Sequence, residues 1–130
     1  MITVDASAAL AILLDEEDAS RYEDILIDAG GGVMTAVNFW EVLVRAEVNG
    51  GTEGRQSAED LFARLNIRVV DCGPAEARTA ATAYVRYGRR TPAGLNLGDC
   101  FAYALAAEHG DGLLFKGNDF PKTDIKAALV

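Results

Sequence analysis

The sequence predicts an α/β protein with a mainly parallel, twisted central sheet and helices on both faces. Short apolar runs alternate with segments of helical periodicity along the chain. Capping residues and glycines mark the boundaries between these segments. Strands that alternate with helices form parallel sheets that are buried on both sides. We therefore expect four to five short strands in one sheet.

The chain begins with a strand that leads directly into a helix. Ile2 to Val4 is a short apolar run, and Asp5 or Ser7 can cap the apolar helix that extends to Leu14. A second helix follows and ends at the glycine run 30–32. Its apolar residues recur at helical spacing: Tyr22, Ile25, Leu26 and Ala29.

The middle of the chain repeats this order. A strand at Val33–Met34 leads into a helix that Thr35 can cap and that reaches about Val48. The segment Asn49–Gly51 is expected to break the helix, and another helix continues to about Leu65.

The last third contains two more strands and two more helices. Ile67–Val70 is the third strand, and Gly73-Pro74 opens a helix that Gly88 closes. Asn96 caps a helix to His109, and Leu113–Phe115 is the fourth strand. The helix after Pro74 is expected to turn these residues to the core: Ala77, Ala80, Ala81, Tyr84 and Tyr87.

The composition is that of one ordinary globular domain. Half of the 130 residues are apolar and a quarter are charged, and we expect residues 1–130 to form a single domain. No apolar run is long enough to cross a membrane, and no basic leader is visible, so a cytoplasmic location is expected. Cys72 and Cys100 are too few for a disulfide framework and are predicted to be buried or half-buried thiols.

The net charge is −8, which argues against a general nucleic-acid binder. Net charge does not describe a single cleft, however. Carboxylates that hold divalent cations add negative charge and still face a polyanion once the metal is bound. The charge alone therefore leaves the function open.

Four carboxylates are predicted near one edge of the sheet. Asp5 follows the first strand, Glu41 lies in the second turn of the helix after the second strand, and Asp119 follows the fourth. Asp99 lies in the first turn of the helix before the fourth strand. Parallel α/β sheets bind ligands at the edge where the carboxyl ends of the strands lie. Three of the acids also have structural explanations: Asp5 as a cap, Asp99 in a capping box with Asn96, and Asp119 as a turn former.

Glu41 has a different alternative explanation. It is predicted to lie within an apolar stripe that contains Val37, Val44 and Val48. A buried carboxylate needs a partner, and Arg45 at i+4 offers a salt bridge.

Converging carboxylates raise one another's pKa unless a cation neutralises them. All-oxygen ligands suit Mg²⁺ or Mn²⁺, whereas no set of His or Cys residues favours zinc. His109 is the only histidine, so Ser–His–Asp chemistry is not expected. A receiver domain or phosphatase also places acids at strand ends, but Asp5-Ala6-Ser7 lacks the Asp-x-Asp pattern.

Four segments carry a family pattern in the order IxVDASAAL, TAVNFWE, GRRTPAGLNLGDCFAYALA and LLFKGNDFPKTDI. Together they span nearly the whole chain and surround the four acids. The chain thereby resembles the PIN-domain ribonucleases, and among them the VapC toxins of bacterial toxin–antitoxin pairs. The resemblance implies a PIN-like three-layer α/β/α fold and a Mg²⁺- or Mn²⁺-dependent endoribonuclease whose products carry 5′-phosphate and 3′-hydroxyl ends.

The resemblance also implies roles for individual residues. The metal-site and catalytic acids of the family match Asp5, Glu41, Asp99 and, as the more variable fourth acid, Asp119. Ser7 matches a small polar residue that supports a ligand or water, and Asn118 stands where many relatives have a further acid. The implied partners are a cognate VapB-type antitoxin, an RNA substrate such as tRNA or another structured RNA, and a second copy of the chain.

A basic rim is predicted beside the acids, and we expect it to contact RNA phosphates. The rim is formed by Arg86, Arg89, Arg90, Lys116 and Lys122. A solvated loop is the alternative. Phe39 and Trp40 could stack bases, although their apolar helix favours a core or dimer contact. The rival to an active nuclease is a degenerate PIN module that acts only as a binding partner.

Overall fold

Strands and helices alternate in the computed structural model, which describes residues 1–128. The strands are β1 (Ile2–Val4), β2 (Gly32–Thr35), β3 (Ile67–Val70) and β4 (Leu113–Leu114). The helices are α1 (Ala6–Leu13), α2 (Ala19–Ala29), α3 (Ala36–Arg64), α4 (Pro74–Tyr87) and α5 (Leu97–His109), followed by a 3-10 turn at Phe120–Lys122. The predicted alternation is confirmed. The domain end expected at residue 130 lies outside the described residues.

The four strands form one parallel sheet in the order β3-β2-β1-β4. Thr3 of β1 pairs with Val33 on one side and with Leu113 on the other. Because all four strands run in the same direction, their carboxyl ends meet at one edge. Asp5 follows β1 at this edge, and Thr35 ends β2 there and caps α3.

Apolar side chains cover both faces of the sheet. In one core, helices α1, α2 and α3 pack on strand residues that include Val4, Met34 and Leu114. The other gathers α4 and α5 on Leu113 and Phe115. Neighbouring residues of β4 therefore belong to opposite cores, as the alternation of side chains along a strand requires. This arrangement confirms the three-layer α/β/α fold.

The break expected at Asn49–Gly51 is confirmed as a kink at Gly51. The range Ala36–Arg64 contains two helical segments that meet at Gly51, which has φ 64° and ψ −155°. Glycine adopts this backbone conformation readily because it has no Cβ. The chain therefore turns between the two helical segments of α3, within the predicted break.

The prediction for α4 is wrong at three of five positions. Ala80 is buried and Tyr87 is half-buried, as expected, but Ala77, Ala81 and Tyr84 are exposed. The helix packs mainly on α5, so only the narrow stripe that faces α5 is covered. No helix among residues 1–128 combines the length and the apolar character needed to cross a membrane.

Candidate active site

Three of the four predicted acids line one cavity of about 400 Å³ at the carboxyl edge of the sheet. Asp5 follows β1, Glu41 projects from α3, and Asp99 projects from the first turn of α5. The other lining residues are Ala6, Ser7, Leu10, Trp40, Val44, Arg45 and Asn96. Residues that are far apart in sequence are thus brought together by the sheet.

Asp5 is almost completely buried, with 4% of its surface exposed. Its Oδ2 accepts hydrogen bonds from the Ser7 backbone N (3.0 Å) and the Ser7 Oγ (2.5 Å), so Asp5 caps α1. Burial raises the pKa of Asp5 to about 7; the Ser7 hydroxyl opposes the increase, and the charges of Asp99 and Glu41 add to it. The capping explanation is confirmed, and it accounts for only one carboxylate oxygen.

Ser7 connects Asp5 to the loop after β4. Its Oγ donates to Asp5 and accepts a hydrogen bond from the Lys116 backbone N at 2.9 Å. The predicted supporting residue therefore holds two chain segments at the edge of the cavity.

Asp99 forms the predicted capping box with Asn96. The Asp99 Oδ2 accepts from the Asn96 backbone N (3.0 Å), and the Asn96 Oδ1 accepts from the Asp99 backbone N (2.8 Å). Burial raises the pKa of Asp99, the hydrogen bond from Asn96 opposes this, the charge of Asp119 adds to it, and Arg89 opposes it. Here too one oxygen caps the helix while the side chain lines the cavity.

Glu41 is held by an amide rather than by Arg45. Its Oε1 accepts a hydrogen bond from the Asn38 Nδ2 at 2.8 Å. No salt bridge joins Glu41 to Arg45, so the simple ion-pair explanation is wrong. Burial raises the pKa of Glu41, Asn38 opposes the increase, Asp99 adds to it, and Arg45 lowers it.

The apolar stripe expected around Glu41 is largely exposed. Val44 is 39% exposed and Val48 is 82% exposed. The buried stripe of this part of α3 is instead Asn38, Val42 and Ala46. The valines therefore do not explain the position of Glu41; its contact with Asn38 does.

Asp119 and Asn118 lie in the exposed turn after β4. The charge of Asp119 contributes to the raised pKa of Asp99, so the two acids are close enough to interact. Neither Asp119 nor Asn118 lines the cavity of the other three acids. The structure thus brings Asp119 to the neighbourhood of the site without including it in the cavity wall.

The predicted basic rim divides into paired and unpaired residues. Lys116 Nζ donates to Glu16 at 2.8 Å, and Arg86 lies 4.0 Å from Asp124 and stacks over the Tyr87 ring. The remaining three have no salt bridge among residues 1–128: Arg89, Arg90 and Lys122.

The two aromatic residues before Glu41 have different surroundings. Phe39 packs against Phe62 with ring centroids 5.1 Å apart, which confirms the expected core contact. Trp40 is 64% exposed and lines the acidic cavity. A core position for Trp40 is therefore wrong, and its indole ring is available to a ligand.

The donor set fits a hard divalent cation. One oxygen each of Asp5, Glu41 and Asp99 has no hydrogen-bond partner among residues 1–128. No group of three or more His, Cys, Asp or Glu side chains among residues 1–128 is arranged to hold a metal ion as the side chains stand, although the three acids share one cavity. A bound cation would stabilise the ionised form of these three buried or half-buried carboxylates, whose pKa values are raised.

A larger groove of about 720 Å³ lies between α4 and α5. Its walls are mostly apolar, include the exposed residues Tyr84, Val85 and Leu97, and contain no acidic side chain. Because no carboxylate reaches it, we place the chemistry in the smaller acidic cavity rather than in this groove.

Two residues of the site were missed in the sequence. Asn38 is 1% exposed and contacts Glu41, and its polar side chain within the buried stripe of α3 was the available signal. Gly98 lies so close to Glu41 that an added Cβ would be 2.3 Å from Oε1. A glycine in the first turn of a helix, directly before an acid, gave only a weak signal.

Comparison with known proteins defines the family to which this fold belongs. The PIN-domain family matches residues 2–126. Ribonuclease VapC28 from Mycobacterium tuberculosis is 38% identical over 128 residues, which cover 97% of this chain and 96% of the relative. Ribonuclease VapC from Mycolicibacterium smegmatis is 39% identical over 127 residues, which cover 97% and 98%. The chain belongs to the PIN-domain family.

The particular relatives agree with the VapC resemblance seen in the sequence motifs. The crystal structure of Mycobacterium tuberculosis VapC20, a sarcin-ricin loop cleaving toxin, is similar with a TM-score of 0.77. The match covers 96% of both chains at 15% sequence identity, and it supports the fold alone.

Proposed function

We propose that this protein is a metal-dependent endoribonuclease and the toxin component of a toxin–antitoxin pair. The observation that carries the proposal is the shared cavity of Asp5, Glu41 and Asp99, in which each acid keeps one uncommitted oxygen. The VapC ribonucleases that are 38–39% identical over nearly the whole chain support the same activity.

Asp5 and Asp99 are the proposed main metal ligands, and Glu41 is a further ligand or acts through water. A bound Mg²⁺ or Mn²⁺ supplies Lewis acidity, which lowers the pKa of water and neutralises charge on the phosphate. Asp119 contributes from the exposed turn near Asp99, and Ser7 keeps the Asp5 carboxylate oriented.

The proposed reaction is hydrolysis of an RNA phosphodiester. Glu41 accepts a proton from the attacking water, whose oxygen forms a bond to phosphorus in line with the bond to O3′. The bond between phosphorus and O3′ breaks, and O3′ takes up a proton. The products carry a 5′-phosphate and a 3′-hydroxyl group.

The exposed surface around the cavity suits an RNA strand. Trp40 offers a ring on which a base can stack beside the carboxylates. Arg89, Arg90 and Lys122 offer cations for neighbouring phosphates. We propose tRNA or another structured RNA as the substrate class.

The proposed partners follow from the family resemblance and from the named relatives. A VapB-type antitoxin would block the acidic cavity, and the chain would form a homodimer in the cytoplasm. We propose that residues 1–130 act as one domain.

Analysis of RNA end groups tests the activity. RNA incubated with Mg²⁺ and the purified protein should acquire 5′-phosphate and 3′-hydroxyl ends, as measured by mass spectrometry. Chelation of the metal and the Asp5→Asn variant should each abolish cleavage. Equal cleavage by Asp5→Asn would show a contaminating nuclease. No cleavage by the parent on any structured RNA would favour the degenerate binding module instead.

A further inference from the structure

Asn38 is a buried polar residue whose side chain joins two helices of the site. It is 1% exposed and lies in the first turn of α3. Its Nδ2 donates to Glu41 Oε1 at 2.8 Å and to the backbone oxygen of Gly98 at 2.9 Å. The same amide group therefore contacts the Glu41 carboxylate and the first turn of α5.

The orientation of this amide is fixed by its other end. Thr35 Oγ1 donates to Asn38 Oδ1 at 2.5 Å and accepts from the Asn38 backbone N at 2.9 Å. The backbone oxygen of Gly98 and the ionised carboxylate of Glu41 both act only as hydrogen-bond acceptors. Each hydrogen-bonding group of the Asn38 side chain is thus matched by a partner of the required type.

The two hydrogen bonds of the Asn38 amide place Glu41 against α5. Asp99 follows Gly98 directly, so the link from Asn38 to Gly98 sets the position of α5 relative to Glu41. At Gly98 an added Cβ would be 2.3 Å from Glu41 Oε1, which shows how closely the carboxylate lies against the helix. Glu41 Oε2 has no hydrogen-bond partner among residues 1–128.

We infer that Asn38 is a positioning residue, which holds Glu41 against the first turn of α5 so that Glu41 and Asp99 face the cavity together. The inference rests on the proposed function. Asn38 itself is buried and does not line the cavity, so it acts through Glu41 rather than on RNA. Partners that orient the ligands of a metal affect metal affinity as well as rate.

A double-mutant cycle on Mn²⁺ affinity tests this role. The dissociation constant is measured by electron paramagnetic resonance of free Mn²⁺ for the parent, Asn38→Ala, Glu41→Ala and the double variant. Asn38→Ala should weaken binding about tenfold or more in the parent. In the Glu41→Ala background the same change should weaken binding less than about twofold, because its route of action is gone. An equal loss in both backgrounds overturns the inference.

Two further variants separate positioning from folding. Asn38→Asp keeps the shape and the acceptor for Thr35 but replaces both N–H donors with an oxygen, and it should reproduce the non-additive loss if Asn38→Ala fails to fold. Thr3→Val removes a buried hydroxyl that has no hydrogen-bond partner among residues 1–128 and should keep the parental Mn²⁺ affinity. RNA cleavage by Asn38→Asp should show a lower kcat with an unchanged KM.

The outcomes also separate this inference from the proposed function. A parent that binds Mn²⁺ and cleaves RNA, combined with an additive cycle, overturns only the role of Asn38. A parent that neither binds Mn²⁺ nor cleaves RNA overturns the proposed function and the inference together.

Discussion

Asp5 combines a structural and a chemical role because its two oxygens have different surroundings. Ser7 holds Oδ2, while Oδ1 has no hydrogen-bond partner among residues 1–128. Burial raises the pKa of Asp5 from 3.8 to about 7. The folded state therefore binds the proton more tightly than the unfolded state. The contribution of Asp5 to the stability of the folded state is complete below about pH 4 and is lost as the pH rises through about 7.

We expect Asp5→Asn to stabilise the metal-free protein at about pH 8, because the neutral amide does not carry the cost of a buried charge. The free energy of unfolding should rise by about 1–3 kcal/mol, and the difference should shrink towards about pH 4. Urea unfolding in the presence of a chelator measures this. The exposed variant Asp24→Asn on α2 is the control and should change little. A less stable Asp5→Asn protein at about pH 8 would contradict the expectation.

Gly98→Ala tests how closely Glu41 must lie against α5. The new methyl group would overlap Glu41 Oε1, so the carboxylate must move. A displacement of this kind should lower the rate of RNA cleavage at least about tenfold. Gly50→Ala is the matched control, since no atom lies within 4 Å of its added Cβ. Parental activity of Gly98→Ala would show that this position of Glu41 is not required.

Trp40 reports on RNA directly because it is the only tryptophan of the chain. RNA bound to the Asp5→Asn variant should quench its fluorescence, whereas an abasic strand of equal length should not. Loss of one stacked base costs about 1–3 kcal/mol, so Trp40→Ala should weaken RNA binding about 5- to 150-fold. Trp40→Phe should retain most of the affinity. Equal binding by Trp40→Ala would exclude stacking on this ring.

The helices show where a sequence pattern is sufficient and where it is not. Caps and glycines predicted the ends of α5 well, because Asn96 and Gly110 satisfy local backbone groups. The exposure of Ala77 and Ala81 could not be predicted in this way. An apolar stripe shows that a helix can be covered, whereas the neighbouring elements decide whether it is. The same reason explains why Val44 and Val48 are exposed.

The kink of α3 gives a prediction on two adjacent glycines. Gly51 has a positive φ that an alanine adopts only with strain, so Gly51→Ala should lower the free energy of unfolding by about 1 kcal/mol or more. Gly50 is helical, and Gly50→Ala should raise it by about 0.5–1 kcal/mol. Thermal or urea unfolding of the pair measures the opposite signs. Equal effects would show that the kink is not fixed by Gly51.

At the scale of the whole molecule, the sheet explains how the acids meet. The alternation of strands and helices predicted parallel strands, and the rule on their carboxyl ends predicted the convergence of Asp5, Glu41 and Asp99. The strand order could not be read from the pattern, since it depends on which neighbours each apolar face finds. Asn38 and Gly98 were missed for a similar reason: their partners lie on another helix.

An acidic protein must attract RNA through a local surface. The net charge is −8, yet Arg89 lowers the pKa of Asp99, Arg90 follows Arg89 in the chain, and Lys122 lies in the 3-10 turn after Asp119. None of these three cations has a salt-bridge partner among residues 1–128. Each phosphate contact adds to the salt dependence of RNA binding because it releases counterions. The double variant Arg89→Glu/Arg90→Glu, made in the Asp5→Asn background, should therefore bind RNA more weakly. Its log–log salt slope should fall in magnitude by about 1.4 if two contacts are lost.

A control of equal net charge separates this local effect from general repulsion. Arg21→Glu/Arg68→Glu changes the same number of charges on α2 and on β3, which is the strand at the opposite edge of the sheet from β4. Fluorescence anisotropy of labelled RNA across a salt series measures both proteins. The control should lose affinity without a change of slope of this size, because long-range repulsion is screened by salt but involves no phosphate contact. Matching slopes in the two variants would mean that RNA does not contact Arg89 and Arg90.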